Sequence, residues 1–312
     1  MLMKYETAGD PMTGLKWTRR ATRKIARELQ KEGIMVSGNS VALILKEMGY
    51  SLQANRKKIA LSGNGSKQEC QQRDQQFRHI CRMREIFTRR NEPTISVDTK
   101  KKELIGNFKN PGRAWRDEHC DVDDHDFPSQ AKAKLIPYGI YDTITNTGFI
   151  SVGISHDTPS FAVDSIACWW QQRGCYQYPH AKRILILADN GGSNNPSFIA
   201  WKYHLWNILC QKHGLTVIVC HYPTGASKWN PIEHRLFSEI SKNWAGIPLE
   251  TLQTALNYIR TTKTDSGLSV EATFNRKHYA LKETIPHDKI DRILIKTNFL
   301  FPKLNYILRP AK

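Results

Sequence analysis

From Pro93 onward the sequence alternates strand and helix patterns in an order that strongly restricts the fold. The apolar periodicity and the turn residues predict a strand, a hairpin that turns at Asn146-Thr147-Gly148, and then three helices that alternate with two strands. A hairpin that leads into alternating strand and helix units gives a mixed sheet with helices on its faces. The predicted fold class is therefore α/β, with a ribonuclease-H-like mixed sheet and flanking helices.

Two of the predicted buried strands end in an aspartate. Asp98 follows the strand sequence TISV, and Asp189 follows RILILA and precedes a turn with two glycines. Ligands gather at the carboxyl ends of strands in open sheets with helical crossovers, and glycine lets a bound group approach the backbone closely. For each aspartate taken alone, the alternative is an Asx-turn at the end of a strand.

A third carboxylate, Glu233, stands at the head of an apolar helical stripe. Three residues follow it at helical spacing: Phe237, Ile240 and Trp244. Because this stripe would pack on the sheet, the carboxylate would be partly buried there, which is costly unless a cation binds it. The alternative is a capping box, in which Asn230 and Glu233 satisfy the first backbone N–H groups of the helix.

Taken together, the three carboxylates predict a metal site. Acidic side chains that converge on one place repel one another unless cations neutralise them. Oxygen ligands favour Mg²⁺ or Mn²⁺ over zinc, and a pair of such ions can catalyse in-line phosphoryl transfer. We therefore expect Asp98, Asp189 and Glu233 to bind two Mg²⁺ or Mn²⁺ ions.

The net charge of +17 predicts a polyanionic partner, and double-stranded DNA is the first candidate. Residues 1–66 contain two short helical patterns that are separated by Gly33 and followed by Gly49, with Ser37 as the cap of the second. The apolar positions expected to face inward are Ala21, Ile25, Leu29, Val41, Ile44, Leu45 and Met48. This pattern is typical of a helix-turn-helix, and the commoner alternative is an ordinary αα-hairpin.

In the helix-turn-helix interpretation, residues 37–48 form the recognition helix and a basic cluster follows it. The candidate DNA contacts in this region are Ser37, Asn39, Ser40, Arg56, Lys57 and Lys58. Residues 67–92 form a long basic helical pattern, which we interpret as a connector between a DNA-binding region (1–66) and the catalytic domain (93–246). The alternative is a solvated linker helix. Residues 247–312 are expected to be a C-terminal extension.

Other features exclude several classes of protein. No apolar run approaches the length of about 20 residues that spans a bilayer, and the first residues lack the pattern of a signal peptide. The seven cysteines are odd in number and have no zinc-ligand spacing. We expect a cytoplasmic protein with reduced thiols and no membrane partner. The acidic stretch EHCDVDDHDF at 118–127 is interpreted as a solvated loop.

Several long stretches resemble the DDE transposases of bacterial insertion sequences, specifically the Rhodopirellula transposase DDE-domain group, which is distantly related to the mariner transposases. The matching stretches include VDTKKKELIGNFKNPGRAW, AKLIPYGIYD, ADNGGSN and CHYPTGASKWNPIEHRLFSEISKNW. The resemblance implies that Asp98, Asp189 and Glu233 are the catalytic triad of a Mg²⁺-dependent enzyme. That enzyme would cleave insertion-sequence ends and transfer them to target DNA as a homodimer or higher assembly, in the nucleoid of a bacterium.

The resemblance also indicates which residues surround the triad. Candidates to support the acidic residues or to contact DNA are Asn190, Ser193, Asn194, His221 and Asn230, and the alternative for each is a loop hydrogen bond. Lys228 could hold a phosphate, and Lys100 could flank the DNA or belong to a solvated charge run.

Family members usually carry more helical sequence before GDPM, so we expect this chain to lack a leading helix. Two other functions are compatible with the sequence: a catalytically silent DNA-binding repressor and a structure-specific nuclease of the same fold.

Overall fold

The chain divides into two compact units, Met1–Ile59 and Ala60–Lys312. The structure is a computed structural model, and it describes residues 8–9, 16–17, 21–51, 67–114, 121–123, 131–298 and 301–311. Arg56, Lys57 and Lys58 lie outside these described residues, as does most of the acidic stretch at 118–127.

The first unit contains the two predicted short helices, α1 (Thr22–Lys31) and α2 (Gly38–Glu47). A two-residue antiparallel pair, β1 (Ala8–Gly9) and β2 (Lys16–Trp17), accompanies them. The predicted cap is confirmed, because Ser37 Oγ accepts the Ser40 backbone N–H at 3.1 Å. Both helices end at a glycine with positive φ, as predicted: 83° at Gly33 and 81° at Gly49.

The predicted inward face of these helices is partly wrong. Ala26 and Val41 are buried, whereas Ile44 is 45 % exposed and Met48 is 54 % exposed, and Ala21 is also exposed. Two short helices that pack on each other cover only the stripe along their line of contact. The residues on either side of that stripe therefore remain in solvent.

The second unit is built on a nine-stranded mixed sheet. Its strands are β3 (Thr94–Thr99), β4 (Glu103–Ile105), β5 (Ala133–Asp142), β6 (Thr147–Gly153), β7 (Arg183–Ala188), β8 (Thr216–His221), β9 (Ser269–Asn275), β10 (Ile295–Thr297) and β11 (Asn305–Leu308). The order along the sheet is β10-β11-β8-β7-β3-β5-β6-β9, and β4 pairs with β5 beside this path. The central strands β6-β5-β3-β7-β8 form the predicted ribonuclease-H-like mixed sheet.

Helices cover both faces of this sheet, as predicted. They are α3 (Lys67–Arg89), α4 (Pro159–Trp169), α5 (Ile199–His204), α6 (Ser238–Asn243), α7 (Leu252–Arg260) and α8 (His287–Ile290). Two of them extend as π-helical segments: Trp170–Gly174 follows α4 and leads into a short α-helical turn, Cys175–Gln177, and Leu205–Lys212 follows α5. The π-helical segment Glu233–Phe237 leads directly into α6. Among the described helices, none has the length and apolar composition needed to cross a membrane.

Helix α3 is not a solvated linker. Ile80 and Phe87 are almost fully buried and pack with Leu185, Leu187 and other side chains of β7 and β8. The long basic helix therefore covers part of the sheet. Arg78, Arg82 and Arg89 are exposed, whereas Arg73 and Arg84 are half-buried.

The C-terminal residues complete the sheet at both edges. β9 runs parallel to β6 at one edge, and β11 pairs antiparallel with β8 at the other. The sequence pattern did not predict these strands. The hairpin between β5 and β6 is confirmed, but its turn lies at residues 143–146, with φ of 55° at Asn146, and Thr147 and Gly148 already belong to β6.

Candidate active site

Asp98 and Asp189 lie side by side at the carboxyl ends of β3 and β7. These strands are parallel, and Val97 pairs with Ala188, so the next residue of each strand is an aspartate. Neighbouring strands lie about 4.8 Å apart, so the two aspartates start from adjacent backbone positions. The register of the sheet thus places the two carboxylates that follow these buried strands next to each other.

Two glycines allow the helix with Glu233 to approach this edge of the sheet. Gly139 is the β5 partner of Asp98, and a Cβ there would lie 2.5 Å from Phe237 Cε1. A Cβ on Gly148 of β6 would lie 2.4 Å from Leu236 Cδ1. Because both positions lack a side chain, the segment Glu233–Phe237 packs directly on the strands next to Asp98.

A buried polar contact joins the strand of Asp98 to the start of this helix. The Ser96 hydroxyl donates a short hydrogen bond to Asn230 Oδ1 and accepts the Ile232 backbone N–H at 3.1 Å. The Asn230 amide in turn donates to the Val97 carbonyl at 3.3 Å. The Asn230 side chain therefore hydrogen-bonds to β3. Ser96, and not Asn230 as in the capping-box alternative, accepts a backbone N–H at the start of the helix.

The charges of Asp98, Asp189 and Glu233 act on one another's pKa values. Burial and, in smaller part, the charges of Asp189, Glu233 and Asp157 together raise the pKa of Asp98 to about 8. A hydrogen bond from the Thr99 N–H at 2.7 Å acts in the opposite direction. Buried carboxylates that raise one another's pKa are stabilised either by taking up a proton or by binding a cation.

The pKa values of the other two carboxylates, Asp189 and Glu233, are shifted in the same direction. Burial raises the pKa of Asp189, whereas the Gly191 N–H and the Asn194 side chain lower it. Burial raises the pKa of Glu233, and the charge of Asp189 adds to this effect, while His234 and Lys100 oppose it. A cation bound near these acids would therefore stabilise the charged form of each one.

Asp157 is an acidic neighbour that the sequence analysis missed. Its Oδ1 accepts from Thr99 Oγ1 at 3.0 Å, and its Oδ2 lies 4.0 Å from Lys102 Nζ. It precedes Thr158, which caps α4. In sequence it stands after the end of β6 in the polar stretch SHDTPS, where an aspartate is typical of a turn or cap. The available signal was its place between a buried strand and a capped helix.

The donor set fits a small, hard divalent cation. Asp189 Oδ1 is buried and has no hydrogen-bond partner in the described structure, so one lone pair faces neither solvent nor a protein donor. No group of three or more acidic, histidine or cysteine side chains within the described ranges is close enough to hold one ion by itself. Mg²⁺ needs only one or two protein carboxylates, with water and substrate phosphate as its remaining ligands.

His221 fixes the backbone of Asp189. It is fully buried; its Nδ1 lies 2.7 Å from the Asp189 carbonyl oxygen, and its Nε2 lies 3.1 Å from the Tyr306 hydroxyl. Burial lowers its pKa to about 4, so the ring is neutral, with Nδ1 donating and Nε2 accepting. Trp201 Nε1 completes the chain by donating to the Tyr306 oxygen at 2.7 Å.

A second buried contact joins three elements behind the site. The Gln76 side-chain amide donates to the His221 carbonyl at 2.8 Å and to Asn305 Oδ1 at 2.9 Å, and Asn305 donates back to Gln76 Oε1 at 2.7 Å. Gln76 belongs to α3 and Asn305 to β11. The strand end that bears His221 is thus supported by residues from both ends of the unit.

The loop after Asp189 contains three of the predicted supporting residues. Asn190 donates to Thr224 Oγ1 at 3.1 Å, which joins the loops that follow β7 and β8. Asn194 is buried and accepts from the Tyr138 hydroxyl at 2.7 Å. Ser193 is also buried, and its hydroxyl has no partner among the described residues.

The predicted DNA contacts differ in their accessibility. Lys100 is only 6 % exposed; its Nζ lies 2.7 Å from Glu103 Oε1 and 4.6 Å from the centre of the Trp244 ring, so it does not flank a DNA groove. Lys228 is exposed. In α2, Asn39 is exposed, whereas the hydroxyls of Ser37 and Ser40 contact each other at 3.0 Å.

A family model and several solved structures match this chain. A family model described as "Rhodopirellula transposase DDE domain" matches residues 1–310. Among solved structures, the chain is similar to "Mos1 transposase paired-end complex with left transposon end" at 12 % identity and TM-score 0.45, and to "Crystal structure of the Mos1 mariner paired end complex with Mn" at 15 % identity and TM-score 0.45. Each match covers 77 % of this chain and 65 % of the Mos1 chain. No curated protein matches.

Proposed function

Because the chain belongs to the Rhodopirellula transposase DDE-domain family, we propose that it uses Asp98, Asp189 and Glu233 to cleave insertion-sequence ends and to join them to target DNA. The observation that carries the proposal is the position of Asp98 and Asp189 at adjacent parallel strand ends, with Glu233 close enough for its charge to raise the pKa of Asp98. Their oxygens and the unpartnered Asp189 Oδ1 fit Mg²⁺ or Mn²⁺.

The chain's own residues prepare this site for cations. When bound, two divalent ions would activate an attacking oxygen and stabilise a leaving oxygen in line. Asp98, Asp189 and Glu233 would hold them, and because the pKa of each acid is raised, cations would compete with protons for these carboxylates. Ser96 and Asn230 keep the strand and the helix at a fixed separation.

The reaction proceeds in two steps of the same kind. Water first attacks the phosphodiester at the 3′ end of the element, and the 3′ oxygen of the element leaves as a hydroxyl. That hydroxyl then attacks a phosphodiester of target DNA, and the 3′ oxygen of the target strand leaves. His221 is neutral and both of its ring nitrogens are engaged, so it orients Asp189 and does not take a proton. No covalent bond between enzyme and DNA is needed.

DNA binding is assigned to both units. The net charge of +17 favours the phosphate backbone, with Lys228 beside the catalytic residues. Exposed residues of α2, such as Asn39, are the candidates for contact with the element end. We place the reaction in the bacterial nucleoid, with a homodimer or higher assembly that holds two ends.

The test uses the full chain and a duplex that carries the inverted repeat flanking its coding sequence. We expect Mg²⁺-dependent nicking at the 3′ end and joining to a target plasmid, and Asp189→Asn should lower both by about a thousandfold, since a metal contributes several kcal/mol. The matched control is Asp265→Asn, an exposed aspartate in the turn before β9.

Four outcomes would contradict the proposal. Cleavage without a divalent ion, or at the wild-type rate in Asp189→Asn, would exclude the metal role of this triad. Binding without cleavage would favour a repressor. Cleavage without joining would favour a structure-specific nuclease of the same fold.

A further inference from the structure

Trp229 is exposed next to the catalytic helix. It is 58 % exposed, whereas five other tryptophans are at most 7 % exposed: Trp169, Trp170, Trp201, Trp206 and Trp244. It stands four residues before Glu233. A large aromatic surface left in solvent beside a reaction site is costly for an isolated chain and is typical of a binding surface.

The segment that carries Trp229 is held firmly in place. It ends the short helical turn Ser227–Trp229, and its backbone N–H donates to the Ala226 carbonyl at 2.8 Å. Ala226 and Asn230, on either side of this turn, are fully buried. His234 Nε2 forms a short hydrogen bond with the Lys228 carbonyl. The exposure of the indole is therefore a property of a fixed turn.

The indole is supported on one side and open on the other. Phe77 of α3 meets it edge to face, with ring centres 6.0 Å apart, and Phe77 itself packs against Tyr222 at 6.1 Å. Lys228 Nζ lies 5.4 Å from the centre of the Trp229 ring, and the Arg73 guanidinium lies 5.9 Å from that of Phe77. A supported indole with cations beside it matches the chemistry of a nucleotide, which combines a flat base with a phosphate.

We propose that Trp229 stacks against an unpaired base of the DNA strand that is cut or joined at this site. The assignment rests on the proposed function and adds a base-binding surface to it. A paired base within a duplex hides both faces in the stack, so the indole can reach a base only where pairing is opened or ends. Such stacking would hold the strand end beside Glu233 without reading its sequence.

The experiment measures binding in the presence of EDTA, so that it does not depend on catalysis. The full chain is titrated with a duplex that carries one unpaired fluorescent adenine analogue at its 3′ end, and with a blunt duplex in which that analogue is paired. For the wild type we expect quenching of the unpaired analogue and about tenfold tighter binding of the overhang duplex.

Trp229→Ala should abolish the quenching and remove the preference for the overhang, whereas Trp229→Phe should retain most of both. The matched control is Tyr176→Ala, because Tyr176 is 77 % exposed on another part of this unit. The proposal is overturned if Trp229→Ala quenches and binds like the wild type, or if it loses affinity equally for both duplexes. Thermal unfolding of each variant verifies that it is folded.

This result is separable from that of the proposed function. A chain that lacks metal-dependent cleavage but shows Trp229-dependent quenching contradicts only the enzyme assignment. A chain that cleaves and joins DNA, but in which Trp229→Ala leaves the quenching unchanged, contradicts only the stacking role.

Discussion

Replacing Asp98 with asparagine is expected to stabilise the protein when divalent ions are absent. Burial and the neighbouring charges of Asp189, Glu233 and Asp157 raise the pKa of Asp98 from 3.8 to about 8. In the window between these values, the folded chain holds a proton on Asp98 that the unfolded chain has released. The stability of the wild type therefore falls as pH rises through this window, and the neutral asparagine avoids that loss.

The magnitude follows from the size of the shift. Each pKa unit corresponds to about 1.4 kcal/mol. The shift at Asp98 therefore lowers the free energy of unfolding of the wild type by at most about 5 kcal/mol at pH ~7.5 and about 2 kcal/mol at pH ~5. Asp98→Asn should gain most of this amount in EDTA. Mg²⁺ should reduce the difference in the free energy of unfolding between Asp98→Asn and the wild type, because the ion binds the wild-type carboxylates and neutralises their charge.

Urea unfolding in EDTA at several pH values, followed by tryptophan fluorescence, measures the difference. Asp265→Asn is the control and should leave the free energy of unfolding unchanged, because Asp265 is exposed. The reasoning is refuted if Asp98→Asn is no more stable than the wild type near neutral pH, or if its advantage is the same at acidic pH.

Three further substitutions test the packing around the site. Gly139→Ala should cost about 1–3 kcal/mol by overpacking, because the new Cβ would lie 2.5 Å from Phe237 Cε1, and urea unfolding measures it. Ser96→Ala should also cost about 1–3 kcal/mol, since it leaves the buried Asn230 oxygen without its donor, and cleavage should slow as well. The pKa of His221 is lowered from 6.5 to about 4, so it contributes stability that is present above 6.5 and lost as pH falls toward 4. His221→Gln should remove that acid sensitivity, up to about 3 kcal/mol, in a comparison of unfolding curves across this range.

The central strands could be predicted because their sequences are continuous apolar runs. RILILA and the strand before Asp98 have the composition of strands buried on both faces, and an aspartate marks the end of each. The order of the elements then fixes the sheet, because hairpins and helical crossovers have few arrangements. This order of elements also brings Asp98 and Asp189 to one edge of the sheet.

The C-terminal strands could not be predicted in this way. All three residues of β10 are exposed, so no apolar pattern marks it. β9 joins the sheet beside β6, which is more than a hundred residues earlier in the chain. Pairing over such a distance depends on which edge the folded sheet leaves open, and local sequence does not specify that.

The supporting residues of the site were only partly predictable. Asn230 and His221 were candidates because they stand close to Glu233 in sequence. Gln76 was missed, because it lies in a run of glutamines on a polar helix and nothing local distinguishes the one that is buried. The close approach of Gly139 to Phe237 likewise depends on the packing of a helix on a distant strand.

The most direct test of the shared metal site is a titration of the full chain with Mn²⁺, followed by electron paramagnetic resonance. The account predicts two bound ions per chain, and affinity weakened by at least about tenfold in Asp98→Asn, Asp189→Asn and Glu233→Gln but not in Asp265→Asn. If the three triad variants bind Mn²⁺ as the wild type does, these carboxylates do not form a common site and the assignment of the active site is wrong.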